Sequence, residues 1–363
     1  MDNAQPGRWS RRSMLAGAAA GLVTPMAIAG AAAPFTVSAA AQPKGKVRQV
    51  TVYAEALPGG LFGYGLNPGQ ATIPGPLLEI YEGDTLEIEL VNNTDQRLSI
   101  HPHGVDYDTN SDGSPLNDSF NEPGETRVYT WHTRTQYRAS GGFWMPGSAG
   151  YWHYHDHAMG TDHGTGGLAK GLYGGLIVRQ RGDLLPDKQF SVFFNDMTIN
   201  NKVAPDTPMF EANQGERVEF VCVGHGNNPH TFHLHAHRWA DTRTGMLNGE
   251  NDHAQVIDNK NLDPGGSFGF QVIAGEGVGP GVWMYHCHVQ FHSDGGMVGL
   301  FLVRNPDGSM PAGAQEAIDR YHGHDHSAVQ QAQAQAHGVT PPQFIAPPEV
   351  RGPNPDHAHA HGD

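Results

Sequence analysis

Cysteine is nearly missing from this 363-residue chain: Cys222 and Cys287 are the only two. A disulfide-stapled framework is therefore excluded. Basic residues are also scarce, 22 lysines and arginines against 37 aspartates and glutamates, for a net charge of −15 with histidine neutral. That balance argues against nucleic acid as a partner. Beyond the N-terminal segment no apolar run reaches membrane-spanning length. No later stretch carries a convincing helical period, and no dense methionine cluster occurs. What abounds is glycine (48), proline (26) and histidine (23). Short apolar stretches alternating with Gly, Pro, Asn and Asp clusters predict an all-β fold. The length fits two domains, each a Greek-key β-sandwich. Cys222, inside the alternating stretch Val218–Val223, reads as a small buried hydrophobe.

The ends differ in character. Ser10-Arg11-Arg12-Ser13-Met14-Leu15 resembles a twin-arginine export motif, and an Ala/Gly-rich apolar run follows to about Ala33. Residues 1–41 read as a cleaved signal peptide. The mature protein is then soluble, free of the membrane, and secreted or periplasmic. Within residues 312–363, Gln330–Ala336 alternate Gln and Ala, prolines cluster between Pro341 and Pro355, and histidines recur, a composition that builds no core. They read as a mobile tail. Two roles stay open for it, copper capture or plain solvation.

The most informative stretch is Tyr285-His286-Cys287-His288, followed by His292 and Met297. A thiolate with two imidazoles and a thioether is the ligand set of a blue-copper electron-transfer site. On a strand, neighbours point to opposite faces. His286 and His288 therefore point away from Cys287 and are free to hold other metal ions. Three further pairs, His101/His103, His155/His157 and His233/His235, each put two imidazoles on one strand face. His230 lies three residues before the third pair and can complete the Cys287, His292, Met297 set.

An internal repeat organises these motifs. Gly83 precedes His101 by 18 positions, and Gly215 precedes His233 by 18; His101 to His155 is 54 positions, and His233 to His286 is 53. Gly175–Arg179 resembles Gly299–Arg304 downstream. Asp156 stands where Cys287 stands, so the first copy has no thiolate but keeps half of a shared histidine cluster.

His101-Pro102-His103-Gly104, Trp152-His153-Tyr154-His155-Asp156-His157, His230-Thr231-Phe232-His233-Leu234-His235 and the Cys287 run, in this order, resemble the multicopper oxidases, and among them the two-domain bacterial small laccases. The resemblance spans about Val47 to Arg304. It implies two tandem cupredoxin-like domains, 42–185 without type 1 copper and 186–311 with it. It implies four coppers per chain. His230, Cys287, His292 and axial Met297 would hold type 1 copper. His101 and His233 would hold type 2. His103, His155 and His288 would hold one type 3 ion, and His157, His235 and His286 the other. The implied activity is one-electron oxidation of phenolic or aromatic amine donors, coupled to four-electron reduction of O2 to water. A homotrimer is implied, with each cluster between subunits. Asp112 would serve proton delivery, and Tyr107 would lie near type 2 copper as an auxiliary redox group; a turn aspartate and a packing tyrosine are the plainer alternatives. His132, His153, His163, His225, His237 and His253 match no ligand pattern and read as structural. Copper nitrite reductase, a non-catalytic electron carrier and a cuprous oxidase are the competing readings.

Axial ligand identity tunes the potential of a blue-copper site. Met297→Leu is expected to raise the reduction potential of the Cys287 site in a redox titration; an unchanged or lowered value would remove Met297 from the ligand set.

Overall fold

Period-two burial builds the sheets. In Thr85–Asn92, Leu86, Ile88, Leu90 and Asn92 are buried and the residues between them are more exposed, the pattern of a strand covering a core with one face. A computed structural model describes residues 45–324; the signal peptide expected at 1–41 lies outside them. The first sandwich pairs two sheets. One is ordered Leu61–Gly65, Val47–Leu57, Thr85–Asn92, Thr126–His132; the other Gly75–Tyr81, Tyr173–Arg179, Gly150–His155, His101–Pro102. Val52, Ile88 and Tyr129 from one sheet meet Leu78, Tyr154 and Leu176 from the other in a single core.

The second sandwich repeats this plan. Thr198–Ile199, Lys188–Asn195, Arg217–His225 and Ser267–Ile273 form one sheet; Met209–Asn213, Val298–Arg304, Gly281–Cys287, His230–Leu234 and Asn259–Leu262 form the other. Parallel pairs fall at equivalent places in both sandwiches. Parallel neighbours require crossover connections rather than hairpins. The all-β, tandem cupredoxin-like expectation is met. Cys222 is fully buried in the second core, and both cysteines are free.

A tyrosine–glycine pair sets the register in each copy. Tyr154 stands opposite Gly174, and Tyr285 opposite Gly299. A Cβ on either glycine would lie 2.2 or 2.3 Å from the tyrosine side chain, so no larger residue fits. The hydroxyls donate to Pro76 O at 2.6 Å and Pro208 O at 2.7 Å. Gly174, rather than Gly175, is thus the counterpart of Gly299, a one-residue correction to the alignment read from sequence.

The two sandwiches share an apolar seam of Tyr151, Tyr173 and Ile177 with Phe193, Val221 and Val223. Beside it lies a buried ion pair. Arg179 reaches Glu219 at 3.0 and 2.7 Å, with the two side chains 1% and 0% exposed. Tyr151, Gln189 and Gln271 also donate to the Glu219 carboxylate.

The tail expected from 312 begins instead as a docked helix, Ala314–His322. Its Ala314 and Ile318 pack on Leu300 and Leu302. The His/Pro-rich residues beyond 324 lie outside the described residues. Among the described residues no helix is long and apolar enough to cross a membrane.

Removing one partner of a buried ion pair leaves the other charge uncompensated, at a cost of about 3–5 kcal/mol. Arg179 also holds Glu79 Oε2 at 2.7 Å, so Glu219→Ala is expected to lower the unfolding free energy by less than that, about 1–3 kcal/mol, in urea denaturation. A loss below about 1 kcal/mol would mean that Glu79 alone satisfies the Arg179 charge.

Candidate metal centres

One pocket forms inside the second sandwich. Cys287 ends the strand Gly281–Cys287, His230 begins His230–Leu234, and His292 sits in the short helix Gln290–Asp294. The Cys287 Sγ lies 3.8 Å from His230 Nδ1 and 3.4 Å from His292 Nδ1. All three are buried, and their donor atoms lie within 4.8 Å of one another. Met297 is fully buried in the same core. Its carbonyl accepts from Cys287 N at 3.1 Å, and its N–H donates to His292 O at 3.0 Å. Burial raises the Cys287 thiol and lowers His230 to about 3. Two imidazoles turned onto one sulfur, shielded from water, fit a soft, thiophilic cation such as copper.

The same hydrogen-bond register exposes the equivalent pocket in the first sandwich. Asp156 N donates to Leu172 O as Cys287 N does to Met297 O; Leu172 N donates to Gly167 O as Met297 N does to His292 O. Ser99 Oγ accepts from His157 N, as Thr231 Oγ1 does from His288 N. Leu98, Asp156, Gly167 and Leu172 therefore occupy the places of His230, Cys287, His292 and Met297. Asp156 fills the vacated space, because a Cβ at Gly167 would lie 2.2 Å from its carboxylate. All four ligand types are replaced.

The eight paired histidines form two half-sites of matching design. His101 pairs across strands with His155, and His233 with His286. His103 Nε2 lies 3.1 Å from His155 Nε2, and His235 Nε2 lies 3.1 Å from His286 Nε2. His155 Nδ1 donates to Asp156 O at 2.7 Å and His286 Nδ1 to Cys287 O at 2.8 Å. These bonds fix the tautomer and leave the Nε2 lone pairs facing their neighbours, an arrangement that asks for a cation between them. His101 Nδ1 donates to Asp112 O and His233 Nδ1 to Asp258 O, again freeing Nε2. His157 lies 5.0 Å from His101 between ring centroids, and His288 5.3 Å from His233. Among the described residues, every ring contact joining these eight histidines stays within one domain. The single chain thus joins His103 to His155 and His235 to His286, but does not bring His288 to the first pair or His157 to the second.

Two residues singled out in the sequence lie at the first half-site. The Tyr107 ring meets His101 edge-on at 5.7 Å. Asp112 Oδ1 is 3.6 Å from His101 Nδ1. Burial pushes the Asp112 carboxyl up, but hydrogen bonds from Ser114 and Asn117 outweigh it and hold the group below its ordinary range. The sequence reading missed Asp258, whose carbonyl and carboxylate meet His233 Nδ1 at 2.8 and 3.9 Å. Its signal was masked because Asp258 follows His233 by 25 positions, whereas Asp112 follows His101 by 11.

His237 is structural, as expected. Its Nδ1 donates to His235 O at 2.9 Å, and its Nε2 accepts from Gly275 N at 3.0 Å, so neither nitrogen is available to a metal.

Comparisons with known proteins agree with this geometry. Residues 70–183 and 183–307 each match a family model described as multicopper oxidase. A probable nitrite reductase-hydroxylamine oxidoreductase fusion protein of Kuenenia stuttgartiensis is 34% identical over 278 residues, covering 69% of this chain and 30% of that protein. Human hephaestin is 28% identical over 277 residues, covering 64% of this chain and 22% of that protein. The chain therefore spans less than a third of these relatives' length. Among solved structures, multicopper oxidase mgLAC is similar with a TM-score of 0.55 at 20% identity, covering 74% of this chain and 89% of that one. Copper nitrite reductase from Nitrosomonas europaea has a TM-score of 0.53 at 20% identity, covering 73% and 98%. At these identities the structures establish likeness of fold.

Burial holds His103 and His286 down to about 4, and His225 and His230 to about 3. The unfolded chain protonates these rings near 6.5 and the folded chain does not, so folding loses free energy as pH falls from about 6.5 towards 4. Asp156, raised to about 7 by burial, acts in the opposite sense. One carboxyl does not offset four imidazoles. The thermal midpoint of the copper-free protein is expected to fall between about pH 7.5 and about pH 5; a constant or rising midpoint would contradict the neutral, buried state of these histidines.

Proposed function

We propose, from the premise that the chain belongs to the multicopper oxidase family, that it is a laccase-type oxidase. It takes single electrons from phenolic or aromatic amine donors and delivers four to each O2, forming water. The observation that carries this reading is one intact thiolate pocket beside two complementary histidine half-sites in one chain. His230, Cys287, His292 and Met297 hold type 1 copper. His101 and His233 hold type 2, and His103, His155, His157, His235, His286 and His288 hold the type 3 pair. Bound copper supplies one-electron exchange at the thiolate pocket and four-electron reduction of dioxygen at the cluster.

The chain's own residues do the rest. Cys287 is joined by the backbone to His286 and His288, so the donor pocket and the cluster share a short covalent route. The carbonyls of Asp112, Asp156, Asp258 and Cys287 orient four imidazoles before any metal arrives. Asp112 stays ionised beside His101 and is placed to accept and pass protons. Tyr107, edge-on to the same ring, is the auxiliary redox group. A homotrimer completes each cluster, with domain 1 of one copy facing domain 2 of the next; the separation of the half-sites within one chain supports this. Export through the twin-arginine route, on the strength of Ser10–Leu15, belongs to the same reading. A nitrite reductase of this architecture would keep its thiolate copper in the first domain, where Leu98, Asp156, Gly167 and Leu172 stand instead.

The test combines chemistry and assembly. His103→Ala and His235→Ala each disable one half-site and are expected to be inactive alone. Co-assembled from mixed subunits, they are expected to regain oxygen uptake with a phenolic donor, at about four donors per O2 and without peroxide. Absence of rescue would place the cluster within one chain. About two donors per O2 with peroxide release would refute the four-electron reading.

A further inference from the structure

We propose that His153 and His225 are positioning residues for the first half-site, holding the His103 ring against the second domain of the same chain. The inference rests on the assignment of His103 as a cluster ligand. His153 lies on Gly150–His155 and His225 ends Arg217–His225, so the pair bridges the two sandwiches. Both are buried, at 1% and 3% exposure. The His153 and His103 rings stack in parallel, with centroids 3.9 Å apart and planes at 23°. Among the histidine ring contacts of either half-site this is the shortest. His153 Nε2 lies 3.3 Å from Gly265 O, which can only accept, so this nitrogen carries the proton. His153 Nδ1 is then an acceptor, and His225 Nε2 donates to it at 2.9 Å. His225 is wedged in turn between Tyr173, edge-on at 5.1 Å, and Phe193 at 5.6 Å.

The chain of restraint is therefore continuous. The interdomain seam fixes His225, His225 and Gly265 fix the plane of His153, and His153 fixes the plane of His103. The last step matters because no hydrogen bond to His103 Nδ1 is described, whereas the other ligand facing it, His155, has its Nδ1 tied to a carbonyl. Stacking replaces the usual outer hydrogen bond that orients a ligating imidazole. The second half-site lacks this device: Met284 stands two residues before His286, where His153 stands two before His155.

The test uses the full, copper-reconstituted protein. His225→Phe keeps an aromatic ring, slightly larger, and removes the donor; His153→Phe keeps the stack and removes both nitrogens; His225→Gln restores a donor. Three quantities are measured: copper per chain, the near-ultraviolet band of the coupled copper pair relative to the thiolate-to-copper blue band, and the thermal midpoint without copper. In both phenylalanine variants the near-ultraviolet-to-blue ratio is expected to fall, and copper affinity at the cluster to drop by about 10-fold or more. The blue band per chain is expected to stay at the wild-type value, because the Cys287 pocket does not touch this pair. His225→Gln is expected to recover the ratio. Unchanged ratio and copper content in both phenylalanine variants would overturn the proposal. So would a lowered thermal midpoint with an unchanged ratio, which is the signature of packing alone. Should His225→Phe not fold, His153→Phe carries the same comparison. Wild-type protein that binds copper without the near-ultraviolet band would instead overturn the multicopper reading on which the inference rests.

Discussion

The pleat of one strand end governs the chemistry. Cys287 can enter the second core only if its neighbours leave it, because successive side chains point to opposite faces. The sulfur accordingly meets His230 and His292 inside the sandwich. His286 emerges beside His233 and His235 at the rim, and His288 joins them. Two centres of different chemistry are thus separated by a few covalent bonds, without any loop long enough to let them drift. The Tyr285–Gly299 contact protects this arrangement. A slip of one residue would drive the tyrosine ring out of the core and reverse which group carries the sulfur.

The two sandwiches share one scaffold, and only the second carries the thiolate pocket among the described residues. Ser99 and Thr231, Tyr154 and Tyr285, Gly174 and Gly299 perform the same tasks in both sandwiches. The pocket interior diverged. The result is a carboxyl fixed by the backbone N–H groups of Ser99, Ala158 and Met159, an uncharged leucine on each side of the pocket and a glycine where an imidazole would collide. Asp156 retains the structural duty of Cys287, which is to close the loop after the strand.

The parts legible in the sequence are those written as local spacing. The His-x-His pairs and the Cys287 run state their faces directly, since period two on a strand leaves no freedom. The tandem repeat was equally legible because its spacings are nearly constant. Long-range partners were not. Asp258 reaches His233 across a loop whose length has no counterpart in the first copy. His153 and His225 looked like unassigned histidines, because nothing in one dimension tells that residues 72 positions apart meet at 2.9 Å. The helix Ala314–His322 was hidden by the composition that follows it. Its apolar contacts are few, and docking is decided by Leu300 and Leu302 on a distant strand.

In the proposed homotrimer, the half-sites would also link association to metal binding. Each presents neutral imidazole lone pairs converging on one point, and burial opposes the protonation that would otherwise relieve their repulsion. Burying one half-site face against the complementary one without a cation would bring eight such nitrogens together with nothing to bind them. Metal supplied to a single half-site would find two or three ligands and an open side, a geometry that holds it weakly. Each event is favourable mainly in the presence of the other, so copper should promote assembly and assembly should tighten copper. The in-chain seam of Arg179, Glu219 and the His153–His225 pair then has a further consequence. In the proposed homotrimer it would fix the angle at which a chain offers its first half-site to a neighbour, and a closed ring of copies would require that angle to be the same in every subunit.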